Sequence, residues 1–354
     1  MRHAICLLLL AAAVAAWAAG PCDPALRLGP PAPSGRILFD RGGEVWVMDG
    51  DARRQHKVLG DSPWSALSPD GIHIAHWSVN DGQVRVLSLD DGCDAVIDSL
   101  QPPPGDFGWS NDGHTLAYVG RSARGAGLHV LPFPVGAAVP KVFPYFSFVS
   151  LSEDGRYAIK SDLASVIRVD LRSGEETVVY SVDPKKEGIW GAFLARHGGM
   201  TAVLMIQDYG AAPVDEDEPD CSTGTTALRI LTASGATVDV PFPEGFSSVL
   251  NDELDFSPDG KDLAIAFGAE RCDYPGDVAA VYLFNLETRK LTRLSPEERL
   301  AARVKFSPDG KAVIYTDFMG EGTTRIYRME LPSGPRRPLT APRQYDYDTV
   351  IDWR

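Results

Sequence analysis

The hexapeptide FSPDGK occurs twice, at residues 256–261 and 306–311, 50 residues apart. Identical turn-forming strings at a spacing constrain a fold strongly, because they mark a unit that recurs in space. Weaker copies extend the series. They begin at Ser68 (SPDG), Ser110 (SNDG), Ser152 (SEDG) and Ala195 (ARHG), ahead of Ser257 and Ser307. The terminal Trp353 and Arg354 fall in the register of Phe306 and Ser307. The steps between these anchors are 42, 42, 43, 62, 50 and 47 residues. A strand-built period of roughly 40–50 residues is that of a propeller blade.

Each repeat has one internal order. An apolar strand ends in an aromatic residue or Leu, the turn follows, and a second strand such as DLAIAF or AVIYTD returns. A loop leads to a third strand, such as AVYLFNL or RIYRMEL, and a second turn leads to a short fourth. The turn residues explain the string. Pro presets φ, Asp bonds the local backbone, and Gly supplies the left-handed residue before the next strand. The turn pairs are Asp70 and Gly71, Asp112 and Gly113, Asp154 and Gly155, Asp259 and Gly260, and Asp309 and Gly310. Nothing in this chemistry requires catalysis.

The ends of the chain complete each other. GRILFDRGGEVWVMDGDARRQHKVLG holds the last three strands of a repeat, with Gly35 in the register of Gly310. The C-terminal YDTVIDWR holds a lone first strand. Pairing the two closes a ring and removes the free sheet edges of a linear stack. Counting third strands gives an all-β, seven-bladed propeller of four-stranded antiparallel blades over residues 35–354. Six blades are the alternative, because the Ala195 anchor is degraded.

These repeats resemble the PD40 (WD40-like) repeat of TolB-like propellers, found in periplasmic TolB and in prolyl-oligopeptidase-like enzymes. LDFSPDGKDLAIAF and VKFSPDGKAVIYTD carry the likeness, followed by TRIYRMELPSGPRRPLT. The resemblance implies the fold but names no function, since propellers host many roles. TolB has an α/β domain before its propeller, whereas only residues 19–34 precede the first blade strand here. A prolyl-oligopeptidase-like enzyme needs a G-x-S-x-G elbow, and the chain contains none.

Residues 1–18 read as a secretory signal peptide: Arg2, an apolar run, then Ala16-Trp17-Ala18 as a cleavage site. The run is too short to span a membrane. Pro21 stands before Cys22 where a lipoprotein signal needs a small residue, so lipidation is not expected. The formal charge of -14 disfavours nucleic acid as a partner. The expected location is therefore periplasmic or secreted. Cys22, Cys93, Cys221 and Cys272 then form an even set in an oxidising compartment, which favours disulfides over metal ligation. Cys221 and Cys272 lie in equivalent loops of neighbouring blades and are expected to pair. Cys22 then pairs with Cys93 and ties the tail 19–34 to the second blade.

The 62-residue step contains an acidic insertion, 208–226, read as a solvated loop rather than a calcium site. His73 and His76 share a strand but point to opposite faces, so they cannot share a metal. No cofactor motif is present. Two residues before each anchor, the inner strands place Ala66, Gly108, Ser150, Phe193, Asp255, Lys305 and Asp352 toward a central channel. Asp255, Lys305 and Asp352 form an expected charged row beside it. Trp64, Phe148 and Trp190 sit near one mouth. The expectation is a binding or scaffolding propeller with no catalytic residues assigned, meeting a protein or peptide at the channel mouth or rim loops. The alternative is a stand-alone propeller enzyme such as a polysaccharide lyase.

Overall fold

A computed structural model describes residues 22–62, 64–101, 103–135, 138–195, 199–207, 226–269, 278–297, 300–320, 322–341 and 347–354. The signal segment, most of the acidic insertion, and both Cys221 and Cys272 lie outside those residues.

The strands form seven antiparallel sheets arranged as a closed propeller. Blade one joins Arg36–Arg41, Glu44–Asp49 and His56–Asp61 to the C-terminal strand Asp348–Trp353, which is innermost. Ile37 lies opposite Trp353 and Arg41 opposite Asp348, so the two ends of the chain share one sheet. Blades two, three, five, six and seven are sequential four-stranded meanders. Blade four departs from the expected pattern. Its ladder has three strands, and its inner segment touches it only through the bridge Leu151 to Ala158. In that inner segment the Val149 amide donates to the Asp106 carboxylate of blade three at 2.7 Å.

Both faces of every blade are apolar, and seven buried clusters fill the seven junctions between neighbours. Leu38, Val45, Leu67, Ile74 and Leu87 fill the junction of blades one and two. Ile37, Phe39, Ile314, Ile326 and Trp353 fill that of blades seven and one. Closure thus buries apolar area at the seam just as it does elsewhere in the ring.

The repeated turn is one hydrogen-bonded unit made five times. The serine hydroxyl donates to the aspartate two residues on. It also accepts the amide five residues on, at 2.8–2.9 Å. The aspartate accepts a further amide at 2.9–3.1 Å. The glycine is left-handed, with φ of +71° at Gly310. Sequence reasoning assigned roles to Pro, Asp and Gly but none to the serine, which is buried at Ser68, Ser110, Ser257 and Ser307. At Ala195 the hydroxyl is missing, yet its amide still donates to the Met200 carbonyl at 2.8 Å.

The turn also joins blades. A Cβ on Gly310 would sit 3.2 Å from the Pro258 ring of blade six, and one on Gly35 2.8 Å from the Pro308 ring of blade seven. Each proline therefore abuts the next blade's glycine, so larger side chains there would push neighbouring turns apart.

Trp353 is fully buried at the closing seam. Trp353→Ala is expected to lower the unfolding free energy by about 3–5 kcal/mol in urea titrations, the cost of an unfilled aromatic cavity. A loss below about 1 kcal/mol would mean that the seam is not a cooperative part of the ring.

Burial pushes the Asp70 carboxyl up, but hydrogen bonds from His73, Ser68 and the Ile72 amide outweigh it and hold it at about 2, against an ordinary 3.8. At Asp259 the Ser257 hydroxyl is the largest cause of a lowered pKa. A carboxyl lower in the folded than the unfolded chain stabilises above the unfolded value and loses that contribution as pH falls through the folded one. Stability should therefore fall as pH drops from about 4 toward 2. Asp70→Asn should flatten that slope in pH-dependent melts, and an unchanged slope would remove Asp70 from the acid response.

Candidate functional site

The inner strands enclose a central cavity of about 520 Å³. The seven register positions named from sequence all lie on its wall. Ala66, Gly108, Ser150 and Phe193 come from blades two to five, and Asp255, Lys305 and Asp352 from blades six, seven and one. The wall is thus divided. The side from blades two to five is mainly apolar, with Trp64, Phe107, Phe193 and Leu194 beside the polar Ser65, Asp106, Asn111 and Ser150, and the other carries Asp255, Arg303, Lys305, Asp352 and Arg354.

Local chemistry fixes where each polar group is spent. Asp106 accepts its neighbour Phe107's amide at 2.8 Å and the Val149 amide of the next blade at 2.7 Å. The Ser150 hydroxyl accepts the Leu194 amide at 2.7 Å, and Asp255 accepts the Phe306 amide at 2.9 Å. Three inner-strand side chains therefore bond the backbone of the following blade and fix its position. Asp352 accepts the Trp353 amide at 2.8 Å and the Arg354 Nε at 2.8 Å. Lys305 is half-buried on the same wall. Among the described residues it makes no hydrogen bond or ion pair. Asp255, Lys305 and Asp352 therefore stand in a row without Lys305 bridging the two acids.

The inner strands of blades five, six and seven are irregular. Their registers slip between Ile189 and Gly191, between Val249 and Leu254, and between Ala302 and Lys305. Such bulges re-aim side chains and concentrate near functional sites. The first leaves Trp190 61% exposed, outside the cavity wall. The third sets Arg303 at φ +58°, a left-handed conformation that is costly for a residue with a Cβ, and places it on the wall. Neither Arg303 nor Arg354 was singled out by sequence reasoning. The AARVKF stretch carries no glycine to mark the left-handed position.

The aromatic residues divide by role. Trp109 is buried and donates its indole N–H to the Ala66 carbonyl of blade two at 3.2 Å, and Trp353 donates to Ser34 at 3.0 Å. Both act as structural clamps. Phe193 reaches the cavity while packing on Phe148, ring centroids 5.0 Å apart, and Trp64 does so against the edge of Trp77 at 5.5 Å.

His73 lies 3.3 Å from Asp70, and His76 places Nε2 2.9 Å from Asp94. His129 is fully buried and stacks on Tyr118 at 5.0 Å. Among the described residues no three His, Cys, Asp or Glu side chains gather as a metal site.

Cys22 and Cys93 form a disulfide across 71 residues. The tail runs on along blade two: Asp23 donates its amide to Gly92 at 2.8 Å and Leu28 to Leu89 at 2.8 Å. Leu26 and Leu28 then pack on the junction of blades one and two.

No family model matches the chain, and no curated protein matches it. Solved structures share its architecture. TolB from Acinetobacter baumannii is 17% identical, with a TM-score of 0.48, over 91% of this chain and 68% of TolB. A structure from work on two prolyl endopeptidases is 13% identical, with a TM-score of 0.59, over 91% of this chain. This chain spans only 49% of that one. An oligogalacturonate lyase in complex with manganese is 16% identical, with a TM-score of 0.50, over 80% of this chain and 74% of the lyase. At such identities the likeness speaks for the fold alone. The closed ring of seven antiparallel sheets is a β-propeller, the fold that the prolyl endopeptidase and lyase structures share with it.

Cys93→Ala is expected to lower the unfolding free energy by about 2–4 kcal/mol, the usual effect of opening a long covalent loop. Amide exchange at Asp23 and Leu28 should rise by the same cause. Unchanged protection at those two amides would show that the tail holds without its covalent link.

Proposed function

We propose that the protein is exported and works as a binding or scaffolding propeller that takes a short segment or chain end of a protein partner into its central cavity. The divided wall carries this reading. Apolar contacts between blades and inner-strand hydrogen bonds account for much of that wall, but among the described residues Lys305 takes part in neither. A lumen lined by Phe193 and Trp64 on one side and by Lys305, Arg303 and Asp352 on the other offers two different kinds of contact to one ligand. A cavity of about 520 Å³ is of ordinary ligand-site size. The signal-peptide pattern of residues 1–18 and the Cys22–Cys93 disulfide support an oxidising compartment outside the cytoplasm. Among the described residues no helix is long and apolar enough to cross a membrane.

The test is site-specific photocrosslinking in the native host. A benzoylphenylalanine in place of Phe193 should capture a discrete partner. The same group in place of Val179, which is 40% exposed on the outer strand of blade four, should not. Capture from the outer strand alone would move the binding surface off the channel.

A further inference from the structure

The least satisfied charge in the cavity is cationic. Three carboxylates line the wall, and each is turned to a job within the protein. Asp106 spends both oxygens on amides, Asp352 spends one on an amide and one on Arg354, and Asp255 holds the Phe306 amide. These bonds anchor inner strands, so the acids cannot swing away to neutralise a neighbour without loosening the ring. Lys305 has three donors and a full charge, and among the described residues it has no acceptor. An ammonium half-removed from water gains most from an acceptor that brings negative charge with it. Arg303 and Arg354 also line the cavity, Arg354 paired with Asp352. The left-handed backbone at Arg303 puts that side chain on the wall at a cost in strain.

We propose that Lys305 anchors a carboxylate of the ligand, and that the carboxylate is the chain end of a peptide whose apolar side chains lie against blades two to five. This rests on the channel-binding reading above. A peptide is favoured over an acidic sugar by the opposite wall. Trp64, Phe107, Phe193 and Leu194 give that wall more apolar surface than hydrogen-bonding capacity: beside them are Ser65 and Asn111, Asp106 is spent on two amides, and the Ser150 hydroxyl already accepts one. Sugar hydroxyls need many polar partners, whereas apolar side chains need only surface. A chain end is favoured over an internal segment because it brings a charge and a narrow cross-section together.

Isothermal titration of the full chain tests this with three probes: acetyl-Gly-Phe-Phe as the free acid, the same peptide as its C-terminal amide, and digalacturonate. The free acid should bind at least about tenfold more tightly than the amide, the usual worth of a charge-assisted contact. Lys305→Met should erase that preference while leaving the amide's affinity unchanged, and Lys305→Arg should keep it. The acid-to-amide ratio of the unaltered protein decides the matter even where Lys305→Met folds poorly. Equal binding of acid and amide would overturn the carboxylate anchor and leave the channel reading standing. Binding of digalacturonate that depends on Lys305, with no peptide binding, would overturn the peptide assignment. Failure of all three probes would overturn the anchor, and the crosslink at Phe193 would then judge the channel reading by itself.

Discussion

A blade whose two faces are both apolar cannot stand alone. Covering both faces of every blade requires a neighbour on each side, and a linear stack always leaves two faces bare. The ring solves this only if the first and last blades meet. Here the meeting is strand pairing within one sheet rather than the docking of two finished blades, because one blade is built from both ends of the chain. Asp348–Trp353 and Arg36–Arg41 share a hydrogen-bonded ladder. Unzipping that ladder exposes the apolar seam around Phe39, Ile314 and Trp353, so the strand pairing and the burial fail or hold together. The tail adds a further tie one junction along, where Leu26 and Leu28 cover blades one and two and the Cys22–Cys93 bond holds them there.

The lumen inherits its properties from how the ring is fixed. Inner strands of neighbouring blades lie beside one another around the channel but belong to separate sheets. Side chains bridge them, as Asp106 does to Val149, Ser150 to Leu194 and Asp255 to Phe306. The carboxylates Asp106 and Asp255 keep their charge in this work, but their lone pairs are directed to backbone amides. What remains available to a ligand is the part of the wall that the ring does not need. Lys305 belongs to that remainder, on a blade whose inner strand is bulged.

The architecture was legible in sequence because its determinants are local and repeated. Pro258, Asp259 and Gly260 reappear as Pro308, Asp309 and Gly310, and the count of such turns, with the odd strand at each end, already implies a closed ring. The serine of the turn went unassigned because a hydroxyl in a turn looks like mere polarity until it is found buried between an aspartate and an amide. The seven lumen positions could be named because period two carries one face of a regular strand inward. Their partners could not. Asp255 was read beside Lys305 as part of a charged row, but its bond goes to a backbone amide, which sequence does not advertise. Arg303 was missed because a bulge breaks the period on which the reading depends.

The charge of the whole chain and the charge of the wall act on different length scales. A formal charge of -14 repels anions at a distance, and at physiological salt that field decays within about 8 Å. A polyanion carrying charge along its length would meet this repulsion before any part of it reached the lumen. A ligand with one carboxylate at its end meets little of it and presents its charge only where Lys305, Arg303 and Arg354 line the wall. On the proposed reading, this long-range repulsion and the Lys305 anchor together favour an apolar chain with a single terminal anion over an acidic polymer, even though the group met at the wall is the same in both.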